Sequence, residues 1–153
     1  MKTSSPPVLL AGPFEICRRL LPALKEVTPL PCDTLDEAVK RLQESQPRLV
    51  VVCYAFDHMR PFRLIQYLRS DWNGPRLPIY LLQVLDWHLG ATEQKQMRES
   101  YESLGVDKFI NFCEDTKVDG EDVALQRFRA AVIDQLGLAQ VQGAPGTSAR
   151  RPR

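Results

Sequence analysis

Cys53 is the side chain around which reactivity would be simplest to build. It closes the run Pro47-Arg48-Leu49-Val50-Val51-Val52-Cys53, rich in β-branched residues. A thiol becomes a nucleophile or redox centre when cations or a helix N-terminus lower its pKa. Here Val50 to Val52 precede it and uncharged Tyr54-Ala55-Phe56 follow it. His58 is close along the chain, but proximity in sequence alone does not make a Cys–His pair. A buried, inert thiol is the expectation. The other cysteines, Cys17, Cys32 and Cys113, form no C-x-x-C pair, and neither His58 nor His88 sits at zinc-ligand spacing from them. Neither a structural zinc site nor a disulfide framework is expected, and no cofactor is expected either. Gly12-Pro13 ends an apolar run as a phosphate-cradling loop would, yet G-x-G-x-x-G and the P-loop lysine are both absent. Asp57, just past the Cys53 run, reads as a loop-capping carboxylate.

The elements that must position these residues alternate. Pro7 to Ala11, Leu49 to Tyr54 and Pro78 to Val84 are short, nearly uncharged runs, as buried parallel strands require. Thr28 to Cys32 contains two prolines, which confine it to a sheet edge. Val106 to Phe112 is the fifth strand. Between them, Phe14 to Val27 carries apolar residues at helical spacing, with Pro22 predicting a kink or two pieces. Thr34-Leu35-Asp36-Glu37 fits a capping box opening a helix. Pro61 to Leu68 is helical with Phe62, Ile65 and Leu68 inward. Glu93 to Leu104 is a helix capped by Gly105, and Asp119 caps the last helix, which ends near Gly137. Five such alternations predict an α/β fold: a doubly wound five-stranded parallel sheet in a three-layer α/β/α sandwich.

The chain has 153 residues, enough for one core. Residues 1–6 read as a flexible lead, 7–138 as the domain and 139–153 as a disordered tail, since the tail has almost no apolar mass. Lys+Arg and Asp+Glu number 20 and 19. That balance gives no pull toward nucleic acid or an anionic membrane. No run approaches the roughly 20 apolar residues that span a bilayer, the N-terminus is a poor secretory signal, and the protein is expected in the cytoplasm.

In element order the domain resembles the receiver domain of two-component response regulators. The likeness rests on Val8-Leu9-Leu10-Ala11, on Pro47 through Arg69, and on Leu104-Gly105-Val106-Asp107-Lys108-Phe109-Ile110. The resemblance implies a CheY-like, flavodoxin-like (βα)5 fold and a phosphorylation site at the carboxyl ends of the strands. That site requires an acidic pair and an acceptor aspartate for Mg²⁺, a hydroxyl after the fourth strand, and a lysine then a proline after the fifth. These positions fall on Gly12 and Pro13, Cys53, Gln83, Phe112 and Cys113. None is kept. The resemblance therefore implies a pseudo-receiver: a phosphorylation-independent protein-interaction module in bacterial signalling or regulation, not an enzyme, with Phe112 filling the former pocket. The alternative is a small-ligand or thiol redox sensor using the vacated pocket around Cys53.

Output then has to go through surface contacts with a protein partner. Trp87 and His88 lie in a connection longer than receivers usually have, read either as a partner-contact loop or as a loop tucking Trp87 onto its own core. Met97, Tyr101, Asp107, Lys108 and Arg127 fall on the fourth helix, fifth strand and fifth helix. The resemblance implies that such a face contacts effectors or forms a homodimer. Arg150, Arg151 and Arg153 read as a solvated end, and nucleic-acid binding is not expected.

Overall fold

The computed structural model describes residues 5–86 and 89–138. Its five strands are β1 (Pro7–Ala11), β2 (Thr28–Cys32), β3 (Leu49–Cys53), β4 (Ile79–Gln83) and β5 (Lys108–Asn111). They form one parallel sheet in the order β2-β1-β3-β4-β5. The central strands β1, β3 and β4 carry no charge, and β3 and β4 are buried throughout. Because side chains alternate across a strand, these runs feed both faces. Val8, Leu10, Val51 and Leu82 join one core layer with Ile16, Leu20, Phe128 and Val132. Leu9, Val50, Val52 and Leu81 join the other with Ala38, Leu42, Leu64 and Ile65.

The helices cover both faces. They are α1 (Phe14–Leu20), α2 (Leu35–Ser45), a four-residue turn α3 (Phe56–Met59), α4 (Pro61–Gln66), α5 (Ala91–Leu104), α6 (Phe112–Asp119) and α7 (Glu121–Leu136). Pro22 does divide the first helical segment: α1 stops at Leu20 and a single 3-10 turn, Leu21–Ala23, follows. Thr34 caps α2 by accepting from the Glu37 N–H at 3.2 Å. The reciprocal bond is displaced by one residue, since Glu37 Oε1 accepts from the Asp33 N–H at 2.8 Å.

On the edge strand β2 the Thr28 N–H points inward, donating to Pro6 O at 2.9 Å. By alternation, Pro29 and Pro31 occupy the positions whose donors would point outward. The open edge therefore lacks those donors and is poorly suited to pairing with another strand.

Three expectations are corrected. The fifth strand stops at Asn111, and Phe112 begins α6. The Asn111 side chain accepts from Glu114 N–H at 2.9 Å, and Glu114 and Asp115 sit in the first turn, where the helix dipole favours acids. Asp119 consequently ends α6, and the cap of α7 is Gly120. Phe62 points outward and is exposed, because Leu64, Ile65 and Leu68 take the core positions.

Gly105 ends α5 at φ 111°, and an added Cβ would lie 2.8 Å from Arg69 Nε. Arg69 wraps this turn, donating from Nε and Nη2 to Gly105 O at 3.1 and 2.9 Å. Gly105→Ala is expected to lower stability by about 1–2 kcal/mol, the usual cost of a left-handed L-residue. Urea denaturation checks this, and an unchanged midpoint would show that the turn has an alternative conformation.

Candidate functional site

The sheet register brings the carboxyl ends of the strands level: Ala11 pairs with Val52, Cys53 with Leu82, and Gln83 with Asn111. Gly12, Pro13, Cys53, Gln83 and Phe112 therefore lie at one rim of the sheet. Gly12 is there for closeness of approach. A Cβ on it would fall 3.0 Å from Cys53 Sγ, while its N–H donates to Cys32 O at 2.7 Å. Pro13 caps α1 in extended conformation, its carbonyl accepting from Ile16 and Cys17 N–H at 3.0 and 2.9 Å. Gln83 turns its amide to Leu85 O at 3.4 Å.

Phe112 is fully buried and shares one apolar cluster with Cys53, Cys17, Leu82 and Phe128. The Arg19 guanidinium lies 5.5 Å from its ring centre. Burying a phenylalanine contributes about 1.5–3 kcal/mol. The rim that would hold phosphate in the resembled family holds packed apolar volume instead.

Three thiols lie under this rim. Cys17, Cys32 and Cys53 are all buried and free. Burial pushes the Cys17 thiol up to about 11 and the Cys32 thiol up to about 12. Cys53 rises well above the ordinary thiol range, first through burial and then through the fields of Cys17, Asp33 and Cys32. Cys17 Sγ additionally donates to Gly12 O at 3.4 Å. Each of the influences on Cys53 keeps its thiol protonated, the opposite of what a reactive thiolate needs. A maleimide reagent at neutral pH is expected to label Cys113, which is half exposed, and to leave the other three until the protein unfolds. Peptide mapping after brief labelling reads the order, and early modification of Cys53 would revive the thiol-sensor alternative.

Mg²⁺ coordination asks for oxygen donors. Gly12 and Pro13 offer no side-chain ligand and Cys53 offers a buried, soft one, so the residues at these positions do not fit the ion. Among the described residues no group of three or more His, Cys, Asp or Glu has metal-binding geometry.

The carboxylates beside the rim are otherwise engaged. Asp57 is buried, with Arg63 Nη1 donating to Oδ2 at 2.7 Å and Arg60 Nη2 to Oδ1 at 3.4 Å. Its N–H donates to Asp33 Oδ1 at 3.4 Å. Asp33 itself is raised above the usual carboxylate range, chiefly by burial. This cluster fixes an unusual turn, in which Asp57, His58 and Met59 have φ of 52°, 58° and 64°. Such non-glycine residues cost of order 1–3 kcal/mol each and persist only where neighbours impose them. Here the arginines and Asp33 clamp the turn from both sides. Sequence reading found Asp57 but missed Asp33, Arg60 and Arg63. The arginines three and six positions after an otherwise apolar-flanked aspartate were the available signal.

The proposed contact residues separate. Trp87 and His88 lie outside the described residues. Met97 and Tyr101 are half-buried on α5. There Tyr54 meets Tyr101 edge-on at 5.5 Å and Phe109 at 5.9 Å, and Arg98 caps the Phe109 ring at 4.8 Å. Lys108 is exposed. Asp107 is committed inside the chain: Arg69 and Arg76 each reach it at 2.9 Å, and the Ile79 N–H donates to it at 2.8 Å. Arg127 ties α7 to α6 through Asp115 at 3.2 Å and Asp119 at 2.8 Å.

No family model and no curated protein matches this sequence. Solved structures do match. The phosphorylated cyanobacterial phytochrome response regulator RcpA aligns with a TM-score of 0.65 at 16% identity, covering 90% of this chain and 98% of that one. The chemotaxis response regulator CheY4 of Vibrio cholerae gives 0.59 at 14% identity, with 84% and 98% covered. The bacteriophytochrome response regulator AtBRR gives 0.57 at 19% identity, with 92% and 97% covered. With the strand order and the two-sided helical cover, these alignments establish that the chain has the receiver-domain fold of response regulators.

Proposed function

We propose that this chain is a non-enzymatic, phosphorylation-independent pseudo-receiver that acts by binding a protein partner in a signalling or regulatory complex. The observation that carries this reading is Phe112, completely buried in the place where the resembled family has a lysine. Phosphoryl transfer relies on positioned charge around the acceptor and its oxygens. A rim closed by Phe112, Cys53 and Gly12 supplies no such charge. The several phytochrome response regulators among the structural relatives are consistent with a role in signalling.

The partner-facing candidates are Met97, Tyr101 and Lys108, with Trp87 and His88 in the preceding connection. Asp107 and Arg127 serve chiefly to hold the face together, since their charges are paired internally. Homodimerisation through α5, β5 and α7 would use this same face. No described helix is long and apolar enough to cross a membrane, and a cytoplasmic setting suits the free thiols.

Incubation with acetyl phosphate and Mg²⁺, read by intact mass, is expected to leave the protein unmodified. A stable phosphorylated adduct would overturn the proposal. Affinity capture from the native cell, with Trp87→Ala and Tyr101→Ala as controls, then tests the contact face.

A further inference from the structure

The end of the sheet opposite the closed rim carries a groove of about 370 Å³, lined by Gln46, Pro47, Arg48, Trp72, Pro75 and Leu77. Two connections form it: Gln46 to Arg48 lead into β3, and Trp72 to Pro78 lead into β4. A volume of several hundred Å³ is in the range of small-molecule sites. The apolar part is fixed. Pro47 and Leu77 are buried. The Trp72 indole lies against Gly74, where a Cβ would come within 2.4 Å of Cζ2, and its Nε1 donates to Pro75 O at 2.9 Å. An indole held with its N–H satisfied, beside two prolines, suits a flat aromatic guest.

The polar part is a cation without a counter-charge. Arg48, one wall of the groove, donates from Nη2 to Leu136 O at 3.3 Å, which anchors its guanidinium. Among the described residues no carboxylate pairs with Arg48, and its Nε and Nη1 have no hydrogen-bond partner. The Gln46 amide on the same wall also has no partner among the described residues. A positioned guanidinium with free donors matches the two oxygens of a carboxylate. The groove lies between two connections, not along a strand edge or a helix face, so it offers neither a backbone ladder nor a helical groove to a polypeptide. Its shape and charge fit a free small molecule.

We propose that this groove binds a small, flat aromatic carboxylate, with its rings against Trp72, Pro47 and Leu77 and its carboxylate on Arg48, Gln46 serving as a second donor. The test is ¹⁵N NMR of the full chain titrated with naphthoate and, separately, with its uncharged isostere naphthamide. Naphthoate is expected to shift the Trp72 indole and the Arg48 and Leu77 amide signals with a Kd of about 1 mM or below, the efficiency usual for a ligand of this size. Naphthamide should bind about tenfold more weakly or worse, because it cannot form the charge-assisted pair. Arg48→Met should bring naphthoate down to the level of naphthamide and leave naphthamide binding unchanged. Ile110 and Phe128 signals should stay in place and report an intact core. The comparison of the two ligands on the unaltered chain stands whether or not the variant folds. Equal affinity for the two ligands, or shifts that collect at Gln83 and Asn111 instead of Trp72, would overturn the proposal. So would a Trp72 indole signal that moves when the ligand-free protein is diluted, which would assign the groove to a second copy of the chain. A peptide ending in a free phenylalanine carboxylate that binds more tightly than naphthoate would overturn it too, by assigning the groove to a protein terminus.

Discussion

Phe112→Ala is expected to lower the unfolding free energy by about 3–5 kcal/mol, the range for removing a buried aromatic ring. The ring is fully buried in the cluster that holds Cys53, Cys17 and Phe128, and it starts α6 at the point where β5 ends. Its loss opens a cavity in a region joined to the sheet, α1 and α7, so collapse around it is restrained on three sides. Phe112→Leu keeps much of the apolar volume and should cost clearly less. Phe112→Lys restores the residue type of the resembled family and should cost more than alanine. An ammonium there has Arg19 close by and no carboxylate in the vacated positions. Urea unfolding reads this order as a falling midpoint at constant slope. If lysine were tolerated as well as leucine, the rim would be open to water, and the packed-site reading would fail.

The sheet was legible because β1, β3 and β4 are uncharged runs of the right length, and because Pro29 and Pro31 leave β2 only an edge. Pro22 and Gly105 marked a break and a cap by chemistry that does not depend on distant neighbours. That Gly12, Cys53 and Gln83 sit at the carboxyl ends of β1, β3 and β4 was legible because the ends of those three strands could be placed. What escaped was tertiary. Phe112 is apolar and follows Phe109 and Ile110, so period alone continued the strand. Only the Asn111 side chain, turning back to Glu114, shows that a helix begins there. The turn at Asp57, His58 and Met59 has no glycine to announce it, and its cause lies in Asp33 from another loop and two arginines downstream. Asp107 looked like a surface charge because its partners, Arg69 and Arg76, come from another part of the chain.

Cys53→Asp puts back the acceptor that the resembled family carries, and it is expected to cost about 3–5 kcal/mol at neutral pH, the scale for an uncompensated buried charge. The position is 1% exposed, at the end of a strand buried throughout. Thiols at Cys17 and Cys32 surround it, and Asp33 adds a negative field. Arg19 lies over the Phe112 ring, but it is not among the groups that act on position 53. The new carboxyl should therefore titrate well above the ordinary aspartate value in the folded state. The sign follows: the folded form takes up its proton at higher pH than the unfolded chain does, so the deficit is full above the folded pKa and shrinks as pH falls toward the unfolded value. Cys53→Asn carries the same shape without the charge and should lack this pH dependence, which separates electrostatics from packing. Both variants are expected to stay unmodified by acetyl phosphate and Mg²⁺, because Gly12 and Pro13 supply no carboxylate to hold the ion beside residue 53. A Cys53→Asp protein as stable at neutral pH as at pH 4, and phosphorylated by the small donor, would show that one substitution is enough to reopen the site.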